Sequence, residues 1–206
     1  MQDGSHAVAA DAHWGGGVSP FGATWQKTMM WIFIVTDGLL FSGLLSGYGY
    51  LRTIHSPWPE TAKVFSIPFI ALMTFILITS SMTMGTAVTA ARLGDRKRAL
   101  TNLILTIIGG TAFLGCQAYE WTHLIEHGAR LTSNPWGPAQ FGASFFVLTG
   151  FHGSHVLSGL VILAITAVRT GMGKTPAQGV EMAGLYWHFV DLVWVFIFTL
   201  FYLLPN

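Results

Sequence analysis

A chain of 206 residues with 9% charged and 52% hydrophobic side chains cannot cover a water-facing surface, since soluble domains average about 25% charged. Its net charge of +1, spread over scattered basic residues, excludes a nucleic-acid-binding face, which needs a basic patch. The implied solvent is a membrane, and the one cysteine, Cys116, leaves no intrachain disulfide possible.

Residues 1–22 hold Gly, Ala, His and two Asp without Lys, Arg or a long apolar core. They read as a flexible cytoplasmic tail, because a secretory signal needs a basic start and an apolar centre. Residues 23–206 read as one all-α transmembrane domain, with no repeat of fixed period and no second, soluble domain.

Crossing a hydrocarbon core of about 30 Å takes roughly 20 helical residues. Five stretches between charges are long enough. The first lies between Lys27 and Arg52, interrupted only by Asp37. The second covers residues 64–89 and ends at Arg92, with Pro68 tolerable in its first turn. The third runs from Ala99 to near Trp121. After a loop with Pro135, Gly137 and Pro138, the fourth covers residues 141–168 and stops at Arg169. The fifth covers residues 180–204, with Asp191 embedded in it.

Five spans put the N-terminus, the second-to-third loop and the fourth-to-fifth loop on one side. That side carries Lys27, Arg92, Arg96, Lys97, Arg98, Arg169 and Lys174, against Arg52, Lys63 and Arg130 opposite. Seven basic residues against three place the N-terminus inside and the C-terminus outside by the positive-inside rule.

Ionisable groups within spans are expensive, by about 2.5–3.5 kcal/mol on insertion scales for Arg, Lys or Asp at the helix centre, so each needs a reason. They are Asp37 in the first span, Glu120 near the outer end of the third, His152 and His155 in the fourth, and His188 and Asp191 in the fifth. His152 and His155, His188 and Asp191, and Gln117 and Glu120 are i,i+3 pairs, so three helices carry a polar stripe. Lipid offers no hydrogen bonds, and the stripes must face one another or a partner protein. Asp37 and Asp191 lie at similar depth and are candidates for one interface. Asp37 has no charged neighbour within a turn of its own helix, so its partner comes from another helix, a subunit or a lipid head group.

Two readings of these groups stand side by side, interhelical hydrogen-bonding glue and a functional site. Three histidines, His152, His155 and His188, could supply three metal donors. There is, however, no Cys cluster, HExxH or CxxCH to complete a ligand set. No metal or cofactor is assigned to this chain. Small residues on the first span (Gly38, Ser42, Gly43, Ser46, Gly47) and the fourth (Gly150, Gly153, Ser154, Gly159) allow close helix approach. Trp25, Trp31, Trp58, Trp121 and Trp136 sit near span ends, where an aromatic belt is expected.

Three strings, GCQAYEW (residues 115–121), FFVLTGFHGSHVLSG (145–159) and YWHFVDLVWVFIF (186–198), resemble in sequence and order the signatures of subunit III of haem-copper terminal oxidases. FIVTDGLLFSG (33–43) resembles the family helix that normally has a glutamate where this chain has Asp37. The chain resembles the shorter, five-helix bacterial form, which lacks the first two of seven helices, and with them one wall of the family's lipid cleft.

The resemblance implies an accessory subunit of a proton-pumping oxidase in the bacterial cytoplasmic membrane. Such a subunit carries no redox centre and packs on catalytic subunit I, where haem and copper reside, beside other oxidase subunits. It binds phospholipid and supports proton uptake and durability under turnover. By position, Asp37 would be the intramembrane carboxylate of the cleft and Arg169 the basic residue at its cytoplasmic side. Quinol oxidases and nitric-oxide reductase systems have similar subunits. A small transporter or proton channel built on Asp37, Asp191 and the histidines is the rival of a different class.

Overall fold

The computed structural model describes residues 24–55 and 57–204. The tail assigned to residues 1–22 lies outside them. The described residues contain five helices long and apolar enough to cross a membrane: α1 (Trp25–Ile54), α2 (Ile67–Arg92), α3 (Arg96–Glu126), α4 (Ala139–Gly171) and α5 (Ala177–Ile197).

Local chemistry sets their ends. Pro68 sits in the first turn of α2, where a missing N–H costs nothing. The expected start at Val64 is corrected: a single helical turn, Thr61–Val64, precedes α2 and is separated from it by Phe65 and Ser66. Gly94, at φ 76°, turns the chain out of α2, a left-handed step that glycine takes without a Cβ clash. Asp95 then caps α3 by accepting from the Arg98 N–H at 3.0 Å. So short a link makes α2 and α3 antiparallel neighbours.

The last span departs from a plain helix. After Ile197 it widens into a π-helical segment, Phe198–Leu203, whose terminal carbonyls lack helical partners. Thr61 donates to the Tyr202 carbonyl at 3.0 Å and Arg52 to that of Leu204 at 3.3 Å. The segment is tied to the turn before α2 and to the end of α1.

α5 is the hub. Val180, Ala183, Gly184, Tyr186, Trp187, Phe189, Val190, Asp191, Val193, Trp194 and Ile197 are buried. The Trp187 indole donates to Ser80 at 3.1 Å and the Trp194 indole to Thr74 at 3.0 Å. Gly110 of α3 and Gly159 of α4 leave the space that the Trp187 ring fills. α1, by contrast, buries Asp37, Phe41 and Tyr48 along one face.

Candidate functional site

The polar groups read from the sequence fall into separate clusters. In the first, α1 meets α4 and α5. Asp37 is 8% exposed, and its Oδ1 lies 3.4 Å from Nε2 of His155. The other ring nitrogen of His155 faces the Phe151 carbonyl at 2.8 Å, an arrangement that fixes the ring's orientation. Tyr186 donates to the His155 carbonyl at 3.1 Å, and its hydroxyl lies 2.7 Å from Ser158 Oγ. Phe41, one turn beyond Asp37, covers the imidazole edge-on at 5.3 Å. The partner of Asp37 is therefore another helix of the same chain, while its Oδ2 is buried without a hydrogen bond among the described residues.

His152, one face-step from His155, is fully buried with neither ring nitrogen bonded among the described residues. It packs on Trp194 at 5.2 Å and edge-on to Phe113 at 5.8 Å. The contacts it makes among the described residues are with aromatic rings. The i,i+3 spacing gives the two histidines one face, and both meet the Phe41 ring, at 6.4 Å from His152 and 5.3 Å from His155, but only His155 meets a carboxylate.

Asp191 is buried on the α2 side of α5. Ser81 adjoins it, yet neither carboxyl oxygen has a hydrogen bond of ordinary geometry among the described residues. The Ser81 hydroxyl instead lies 2.7 Å from Nδ1 of His188. Asp37 and Asp191 thus belong to different contacts rather than one interface.

The third helix is joined to the fourth where Gln117 donates to the Thr149 carbonyl at 2.6 Å and Trp121 to its hydroxyl at 3.1 Å. Trp121, assigned to an aromatic belt, is an interhelical contact. Glu120, 7% exposed, accepts from the Tyr202 hydroxyl at 3.3 Å and lines an open cavity of about 240 Å³ with Phe65, Tyr119 and His123. Arg169 is exposed in the last turn of α4, fourteen residues and so about 21 Å along the helix from His155.

One residue escaped the sequence reading. Glu181, at the start of α5, pairs with Lys27 of α1 at 2.7 Å and Arg92 of α2 at 3.0 Å, while Gln178 donates to Thr24 beside them. The signal was available: an acidic residue on the side that holds seven of the ten basic ones. Among the described residues no three of His, Cys, Asp and Glu converge to hold a metal, so His152, His155 and His188 do not form a shared donor set.

Comparison with known proteins adds the family. The profile described as cytochrome c oxidase subunit III matches residues 6–205. A cytochrome c oxidase subunit 3 of Corynebacterium diphtheriae is 37% identical, over 83% of this chain and 84% of the relative. A quinol oxidase subunit 3 of Bacillus spizizenii is 37% identical, over 84% of each. A cytochrome bo(3) ubiquinol oxidase subunit 3 of Pseudomonas aeruginosa is 34% identical, over 97% of this chain and 93% of the relative.

Proposed function

We propose, from the premise that this chain belongs to the cytochrome c oxidase subunit III family, that it packs on the catalytic subunit of a bacterial haem-copper oxidase, binds phospholipid, and sustains proton uptake and repeated turnover. The near full-length match carries the reading. The geometry supports a supporting role: the intramembrane carboxylates are engaged singly, with histidine, tyrosine or no partner. A proton or solute path would need them in a continuous line.

Asp37 would hold α1 against α4 at the lipid-facing side, with Arg169 an anchor at the cytoplasmic boundary, where an exposed guanidinium can reach a phosphate. The basic end, with Lys27, Arg92 and Arg169, faces the cytoplasm in this reading. A reporter active only in the cytoplasm should be silent when fused after Asn206. Gentle purification tests the function: a haem-bearing large subunit should come down with the chain. Purification alone, with solute transport, would replace the accessory reading with the transporter one.

A further inference from the structure

The outer face of α5 carries a polar group that the reading above leaves unused. His188 is exposed, and its Nδ1 is held by Ser81 of α2. It lies seven residues past Glu181, whose ion pairs with Lys27 and Arg92 mark one water boundary. That is about 10 Å deeper along the helix, with about 24 Å still to run to Leu204. The ring therefore sits within the hydrocarbon, at a depth where a hydrogen-bonding group needs a partner. Nδ1 has one, and Nε2 has none among the described residues.

What lies beside it narrows the partner. One turn on is Leu192, which with Phe196 and with Gly38, Ser42 and Ser46 of α1 lines an apolar groove of about 460 Å³. Leu192 and Phe196 are 55% and 51% exposed. Lipid tails could fill the groove but would leave Nε2 bare. A helix that seats apolar side chains in the groove and offers one polar side chain at the level of His188 satisfies both.

We infer that the His188 face of α5, with the adjoining α1–α5 groove, docks a membrane-spanning helix of another oxidase subunit that presents a hydroxyl, amide or similar hydrogen-bonding side chain to the imidazole. The inference rests on the accessory-subunit reading and names the surface through which it operates. It makes Ser81 a positioning residue, since its bond to Nδ1 turns Nε2 outward.

The test places a photo-reactive phenylalanine analogue at Phe196, or at Leu157 of α4 or Phe75 of α2 for comparison, in the assembled complex in its own membrane. Crosslinked peptides are then identified by mass spectrometry. The expected adduct from position 196 is a membrane-spanning segment of a different oxidase subunit. His188→Leu should remove most of that adduct and of the chain's retention in detergent, and His188→Gln should restore them, because an amide can bridge Ser81 and the partner. Ser42→Trp, which fills the groove from α1, should also cost retention. Adducts from position 196 only to lipid or to a second copy, while 157 or 75 reaches an oxidase subunit, would overturn the surface and leave the accessory reading standing. No oxidase adduct from any position, with no haem subunit co-purifying, would overturn both.

Discussion

The first and last spans look alike as strings: both are long and apolar, and each has one aspartate far from its ends. In the folded chain α5 buries eleven of its 21 residues and α1 three of its 30. The difference is that apolarity says a helix is in the membrane and not where in the bundle it sits, because lipid tails solvate Leu as well as protein does. Large side chains with one polar atom decide the place. Trp187, Trp194 and Tyr186 each find an acceptor on a neighbouring helix, which draws α5 to the centre. α1 is fastened at points instead, by Lys27 to Glu181, Asp37 to His155 and Arg52 to the Leu204 carbonyl.

The strongest way to break this contrast is at the hub. Trp187→Ala empties a fully buried site between Gly110 and Gly159 and should cost about 3–5 kcal/mol. Thermal unfolding of the purified subunit in detergent would show it as the largest loss of any single change. A cost smaller than that of Asp37→Ala would show that α5 is not the hub.

At the middle fastening, Asp37→Ala should cost about 1–3 kcal/mol, the range for a buried polar contact whose partner is left unsatisfied. The loss should appear as weaker retention of the subunit and a shorter working life of the complex, with haem content and initial oxygen consumption intact. Asn should be milder, because it keeps an acceptor for His155. Immediate loss of all activity in an assembled Asp37→Ala complex would make the residue catalytic.

The spans were legible in the sequence because their length and lack of charge are local properties. So were the residues that needed partners, since an ionisable group in hydrocarbon stands out by type alone. The partners were not. His155 answers Asp37 across more than a hundred residues, and the i,i+3 rule that grouped His155 with His152 says which helix face a residue shares and nothing about the helix it meets. Glu181 is hidden for a related reason: at a span's edge a charge costs little, and only the fold brings Lys27 and Arg92 to either side of it.

That edge gives a smaller effect. Glu181→Gln removes two ion pairs on a side chain 18% exposed, whose partners are 39% and 58% exposed. Only the pair with Lys27 ties α1, and at about 0.2–1 kcal/mol for a largely exposed pair its loss should loosen the start of that helix by at most about 1 kcal/mol. Faster amide hydrogen exchange near Trp31 would report it. High salt should narrow the gap to the wild-type chain, since screening weakens the same pairs there. An unchanged exchange rate would mean that the ion pairs at this edge do not hold the start of α1.

The smallest effect is expected at Gly47, and its sign is what matters. A methyl group there meets nothing within 4 Å, whereas one at Gly110 would run into the Trp187 ring. Glycine within a helix is about 0.5–1 kcal/mol less favourable than alanine, so Gly47→Ala should leave the isolated subunit unchanged or slightly more stable. Gly110→Ala should destabilise it, because neither the ring nor the Leu160 side chain beside it can move far in a filled interior. Paired unfolding curves should therefore show a fall for Gly110→Ala and none for Gly47→Ala. A clear loss from Gly47→Ala in the isolated subunit would show that α1 packs against its neighbours as closely as α5 does, and the contrast between the two spans would fail at its weaker member.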